Sequence, residues 1–87
     1  MKPGEWYKTF GTSTTPRGEI HTYYHIIDII DDEKLHVDSY EYYILTKRLI
    51  KTSSKRVEFP FKWWLEQIIQ NNIHPVPREE LPFLLTF

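Results

Sequence analysis

Between Glu19 and Leu45, two runs rich in Ile, Val and Tyr flank one short charged break, Asp31-Asp32-Glu33-Lys34. β-Branched and aromatic runs joined this closely predict a long antiparallel hairpin, which makes the fold class mainly β. A loop over Asp32, Glu33 and Lys34 sets Ile29 opposite Val37 and Ile27 opposite Ser39. The other face then stacks Ile26 on Tyr40 and Tyr24 on Tyr42. A two-residue loop would instead set Ile30 opposite Leu35; the three-residue loop aligns more apolar pairs, each stabilising by roughly 0.2–1 kcal/mol. Hydrophobics fall on both faces in either register. That pattern predicts a strongly coiled strand in a small barrel, with a bulge near Asp28 that helps it switch faces.

The rest of the chain is organised around this hairpin. Pro3-Gly4 is a turn signal, and Glu5–Phe10 follows as a first strand with Trp6 and Phe10 on one face. Residues 11–18, bounded by Gly11 and Gly18, read as a loop of the kind that is often functional. Beyond the hairpin, strands are expected near 47–52 and 56–60, with Pro60 marking an edge or a strand end. At Phe61 the apolar period changes from two to about 3.6. Positions 61, 64, 65, 68 and 69 share one helical face, Trp63 lies off it, and Asn71-Asn72 is a stop signal. Pro75, Pro77 and Pro82 break residues 73–87 into short pieces, with room for one helical turn at Arg78–Leu81.

The expected architecture is a five-stranded, bent antiparallel sheet over residues 5–60, or an SH3-like or OB-like barrel. One amphipathic C-terminal helix (61–71) and a Pro-rich extended tail (73–87) follow, all within one domain, 1–87. The likeness to such barrels is one of element order, and barrels of this kind bind peptides, proteins and nucleic acids alike. The expected core is Trp6, Phe10, Ile27, Ile29, Val37, Leu45, Leu49, Val57, Phe59, Trp64, Leu65 and Ile68.

With 87 residues and no cysteine, the chain has a small core and neither a disulfide nor a thiolate zinc site. The N-terminus lacks the apolar region of a signal peptide, and no apolar run reaches the roughly 18–20 residues of a membrane helix. A cytoplasmic setting without membrane association is therefore expected. Abundant Ile, Lys and Tyr with no alanine fit an AT-rich coding sequence, such as that of a phage or mobile element.

Charge is unevenly placed. Residues 19–45 carry seven acids against Lys34, a net of −6, and residues 46–62 carry six bases against Glu58, a net of +5. Either the two stretches lie side by side and offset one another, or the basic one is a stripe for an anionic partner.

Catalytic readings find little footing. In the three-residue-loop register Asp28 faces Asp38, and His25 faces Glu41. His36 and Asp38 share a strand face, so a His–carboxylate metal site can be drawn. Histidines on a half-exposed sheet more commonly meet water or one neighbouring carboxylate, so neither a metal nor a cofactor is expected. No serine lies in a nucleophile-elbow context, and Gly11 and Gly18 do not form a phosphate loop.

The aromatic residues are the stronger lead. Tyr7, Tyr23, Tyr43 and Trp63 fall off the expected core faces, near Lys47, Arg48, Lys51, Lys55 and Arg56. Tyr, Trp and Arg dominate protein-binding hot spots, and aromatics beside cations also suit single-stranded nucleic acid. The expectation is a non-enzymatic binding module, a small adaptor or inhibitor with a protein partner. The alternative is a single-stranded DNA or RNA binder using residues 46–56. The apolar C-terminus, with Phe83, Leu84, Leu85 and Phe87, is expected either to pack on its own domain or to pair with a second copy or an outside partner.

Overall fold

A computed structural model describes residues 2–16, 18–31, 33–52 and 56–83. Seven strands form one open antiparallel sheet: β1 (Trp6–Thr9), β2 (Ser13–Thr15), β3 (Gly18–Ile29), β4 (Lys34–Tyr43), β5 (Arg48–Lys51), β6 (Val57–Pro60) and β7 (Ile73–Val76). One helix, α1 (Phe61–Ile69), lies between β6 and β7, and a 3-10 turn follows at Arg78–Glu80. The strand order is β5-β4-β3-β1-β7, with β2 paired to β3 and β6 paired to β4. The path is linear, so of the two expected forms, a bent sheet or a barrel, it is the open sheet that forms.

Two strands exceed the expected five. Part of the 11–18 loop is β2, with Thr15 opposite Gly18 and the Thr15 hydroxyl donating to the Gly18 carbonyl at 3.0 Å. Part of the expected tail is β7, which pairs with β1 from Trp6↔Val76 to Thr9↔Ile73. Phe10 N–H donates to the Asn72 carbonyl, so alternation along this pair turns the nitrogen of Pro75 away from β1. The missing donor costs no ladder bond, which is why a proline fits this strand.

The hairpin forms with a different register. Asp31 Oδ1 accepts from the Glu33 and Lys34 N–H groups at 2.7 and 2.9 Å, and Ile30 N–H donates to the Lys34 carbonyl. This Asx-type capping draws the turn back by one residue. Beyond it, Ile29 pairs with Leu35 and Asp28 with His36. The register then shifts between Ile26 and Asp28, where the bulge was expected, and Ile26 pairs with Val37, His25 with Asp38 and Tyr23 with Tyr40.

Adjacent strand residues point to opposite faces, and both faces of this sheet are covered. On one face Tyr7, Ile26, Leu35, Val37 and Ile73 meet Trp64 of α1. On the other, Trp6, Tyr23 and Tyr42 meet Leu81 and Phe83 from the segment after β7. This double cover, and not barrel closure, accounts for hydrophobics on both sides of the hairpin. Deletion of Phe83 onward would therefore strip one face; Leu84, Leu85 and Phe87 lie outside the described residues.

α1 starts where Pro60, at φ −62° and ψ 132°, ends β6. Phe61 N–H donates to the Glu33 carbonyl at 2.7 Å, which ties the helix start to the hairpin turn. The helix ends in a Schellman motif: Asn71 takes φ 61°, its N–H donates to Ile68, and Asn72 N–H donates to Gln67. Only Trp64 of α1 is fully buried, with Phe61 and Ile68 packed beside it. Leu65, Leu45 and Phe10, expected in the core, are 41%, 78% and 73% exposed. Leu65 is not among the α1 residues packed on the core, Leu45 sits in the β4–β5 turn, and Phe10 lies beyond the end of β1. No helix among the described residues is long and apolar enough to cross a membrane.

Candidate functional site

The expected surface residues separate into three groups. Tyr7 and Tyr23 are buried, one on each face of the sheet, and are core residues: Tyr7 meets Trp64 edge-on at 5.4 Å, and Tyr23 meets Phe83 at 5.0 Å. Burial pushes both phenols above the usual tyrosine range. They offer no stacking platform. Both were expected off the core faces; the cover supplied by α1 on one side and by Leu81 and Phe83 on the other buries them instead.

Lys51 and Arg56 face inward charge. Asp38 is only 6% exposed, and its carboxylate oxygens lie 3.5 Å from Lys51 Nζ and 3.9 Å from Arg56 Nε. β5 and β6 both pair along β4, one before and one after this point. Asp38 thus sits at the break between them, and the two cations anchor the strand ends on either side. The acidic and basic stretches lie side by side here, which partly offsets the charge of the 46–56 segment. Lys55 lies outside the described residues. Trp63 is partly exposed and stacks on Phe59 with ring centroids 4.9 Å apart, remote in the chain from the basic turn.

The third group converges. Tyr43 and Arg48, opposite each other at the ends of β4 and β5, line a cavity of about 270 Å³ together with Leu45, Thr46 and Ile50. Lys47 sits in the same turn with φ 56°. The Tyr43 hydroxyl makes a long 3.4 Å hydrogen bond to Glu41. Neither Lys47 nor Arg48 makes an ion pair among the described residues. Ile44, Leu45 and Ile50 are all exposed, so three large apolar side chains and two unpaired cations share this end of the sheet. Gly18 packs beneath: it takes φ +103°, and a Cβ there would stand 3.3 Å from Leu45 Cβ.

Leu45 and Ile50 were not expected in a site. The signal was present, since an apolar Ile44-Leu45 pair directly before Thr46-Lys47-Arg48 sits in a turn, where no neighbouring strand can cover it.

The metal reading loses its geometry. Asp28 stands opposite His36 and not Asp38, and His36 Nε2 is 3.5 Å from Glu58. His25 stands opposite Asp38 and not Glu41, and stacks on Trp6 at 4.3 Å. Burial lowers the His25 pKa, outweighing the nearby Asp38 and a hydrogen bond with the Gly4 backbone, both of which raise it. Among the described residues, no three His, Asp or Glu side chains gather as a metal site. A larger hollow of about 590 Å³ opens beside Trp6, Pro75, Pro77 and Arg78, with Lys2 and Glu5 of opposite charge on its rim.

No protein-family model, no curated protein and no solved structure matches this chain.

Proposed function

We propose that this chain is a non-enzymatic module that binds another protein through the β4–β5 end of its sheet. The observation that carries this reading is the pair of exposed apolar side chains, Leu45 and Ile50, that line a cavity with Tyr43 and Arg48. Apolar side chains ringed by polar and cationic ones have the composition of a protein-binding patch, and Tyr and Arg are the residues that most often dominate binding energy there. The burial of Tyr7 and Tyr23 and the pairing of Lys51 and Arg56 with Asp38 take two rings and two cations from the expected nucleic-acid surface and leave Tyr43 beside Lys47 and Arg48 at this end.

Capture from the source cells with the full chain as bait, with and without nuclease, tests the reading. A protein retained in both arms and lost with either Leu45→Asp or Ile50→Asp is the expected outcome. Capture that nuclease abolishes would replace it with the nucleic-acid reading. Capture unaffected by either substitution would move the site elsewhere on the surface.

A further inference from the structure

The outer edges of the sheet differ in whether they can accept another strand. On β7, the outward positions are Ile73 and Pro75, and Pro75 has no N–H to offer. On β6, Phe61 N–H donates to Glu33, so alternation turns Glu58 and Pro60 outward, and again a proline occupies the edge. β2 is only three residues long. These are ordinary ways of closing a sheet edge.

β5 is not closed in this way. Thr52 N–H donates to the Ser39 carbonyl at 2.9 Å, and Ile44 N–H donates to Glu19 on the far side of β4. Antiparallel alternation then directs the backbone of Arg48 and Ile50 at β4, and the N–H and C=O groups of Leu49 and Lys51 outward. No described strand lies beyond them. The side chains of Arg48 and Ile50 meanwhile border the apolar cavity. Backbone groups for pairing and a side-chain pocket thus occur on one edge.

We propose that β5 accepts an extended, acidic segment of a protein partner as an added strand, an inference that rests on the protein-binding reading above. In the antiparallel sense, successive partner residues would face Lys51, Ile50, Leu49 and Arg48. The complementary order is acidic, apolar, apolar, acidic, with a further acid near Lys47. Charge selects the occupant. A second copy presenting its own β5 would bring three further cations, Lys47, Arg48 and Lys51, and no acid to the same edge, an unfavourable balance of charge in every register. An acidic strand meets the two cations that have no ion pair among the described residues, Lys47 and Arg48. Main-chain bonds then supply affinity, and the pocket beside Leu45 and Ile50 supplies selectivity.

The probe is a capped heptapeptide, Ser-Glu-Val-Ile-Glu-Asp-Ser, titrated into the nitrogen-15-labelled full chain. Binding should shift the Leu49 and Lys51 amides and slow their hydrogen exchange. Exchanging the acids for lysines should weaken binding roughly tenfold or more. Two further peptides carry N-methyl groups on alternate residues. The one blocked on the face toward β5 should lose binding about tenfold or more, while its counterpart binds as the parent does. Equal binding by both N-methylated peptides, no response to the acidic peptide, or a dimer of the full chain joined through β5 would each overturn the proposal. If Leu45→Asp abolishes capture of the cellular partner while both N-methylated peptides bind alike, strand addition fails and the protein-binding reading stands.

Discussion

The two faces of one sheet are held by different physics. Under α1, Ile26, Leu35, Val37 and Trp64 are fully buried, and Trp64 meets the edges of Tyr7 and Tyr24 at 5.4 Å each. Among the described residues, the buried members of that cluster are Tyr7, Ile26, Leu35, Val37, Trp64 and Ile73. Under the C-terminal segment, Phe83 packs on Trp6, Tyr23 and Tyr42 at 5.1, 5.0 and 5.7 Å, and the same face holds His25 stacked on Trp6 and the buried Asp38. The helix side is stabilised by close packing of apolar volume. The opposite side adds titratable groups to its aromatic packing, so it should respond to pH as well as to cavities. Two adjacent residues, Trp6 and Tyr7, belong to the two different regimes.

The largest expected effect is Trp64→Ala, which removes the fully enclosed ring and should cost about 3–5 kcal/mol in denaturant unfolding. Phe83→Ala should cost about 3 kcal/mol. Its amide shifts should concentrate at Trp6, Tyr23 and Tyr42 and spare Leu35 and Val37. Matching shift patterns for the two variants would break the distinction between the faces.

Acidification should act on the C-terminal side first. Burial lowers the pKa of both His21 and His25, with Lys8 adding to the effect at His21 and Arg78 at His25. As pH falls through the ordinary histidine value of about 6.5, the unfolded chain takes up protons that the native state refuses. Stability is therefore complete above that pH and declines below it, toward the lowered native values. The urea midpoint should drop between pH 7 and pH 5, and His25→Gln should flatten the drop. A wild-type midpoint that rises with acidification would reverse the assigned direction.

Smaller effects bear on the β4–β5 end. Gly18→Ala should cost about 1 kcal/mol, because φ +103° disfavours any side chain and the new Cβ would press on Leu45. Leu45→Asp, at a position 78% exposed, should change stability by no more than about 0.5 kcal/mol while it abolishes partner capture. A large loss of stability would mean that Leu45 is a packing residue after all.

Local pattern made much of the fold legible. The hairpin, the bulge near Asp28, the change of period at Phe61 and the Asn71 stop each depend on residues close together in the chain. The hairpin partners were less legible. Two backbone bonds to Asp31 move the turn, and the bulge then changes which residues meet, so His25 reaches Asp38 instead of Glu41. The candidate site was legible in part: Tyr43, Lys47 and Arg48 stand at the exposed end of the sheet, whereas Tyr7 and Tyr23 serve the core.

The sequence by itself determined a mainly β chain with one helix and apolar residues on both sides of its long hairpin. Those properties follow from alternation, turn chemistry and proline, which act over a few residues. Tertiary structure alone decided that the sheet stays open, that α1 covers one face and Leu81 and Phe83 the other, and that Leu45 and Ile50 are left outside. Periodicity says which residues need cover. What covers them depends on contacts between segments far apart in the chain, such as Trp6 with Phe83, which local pattern does not encode.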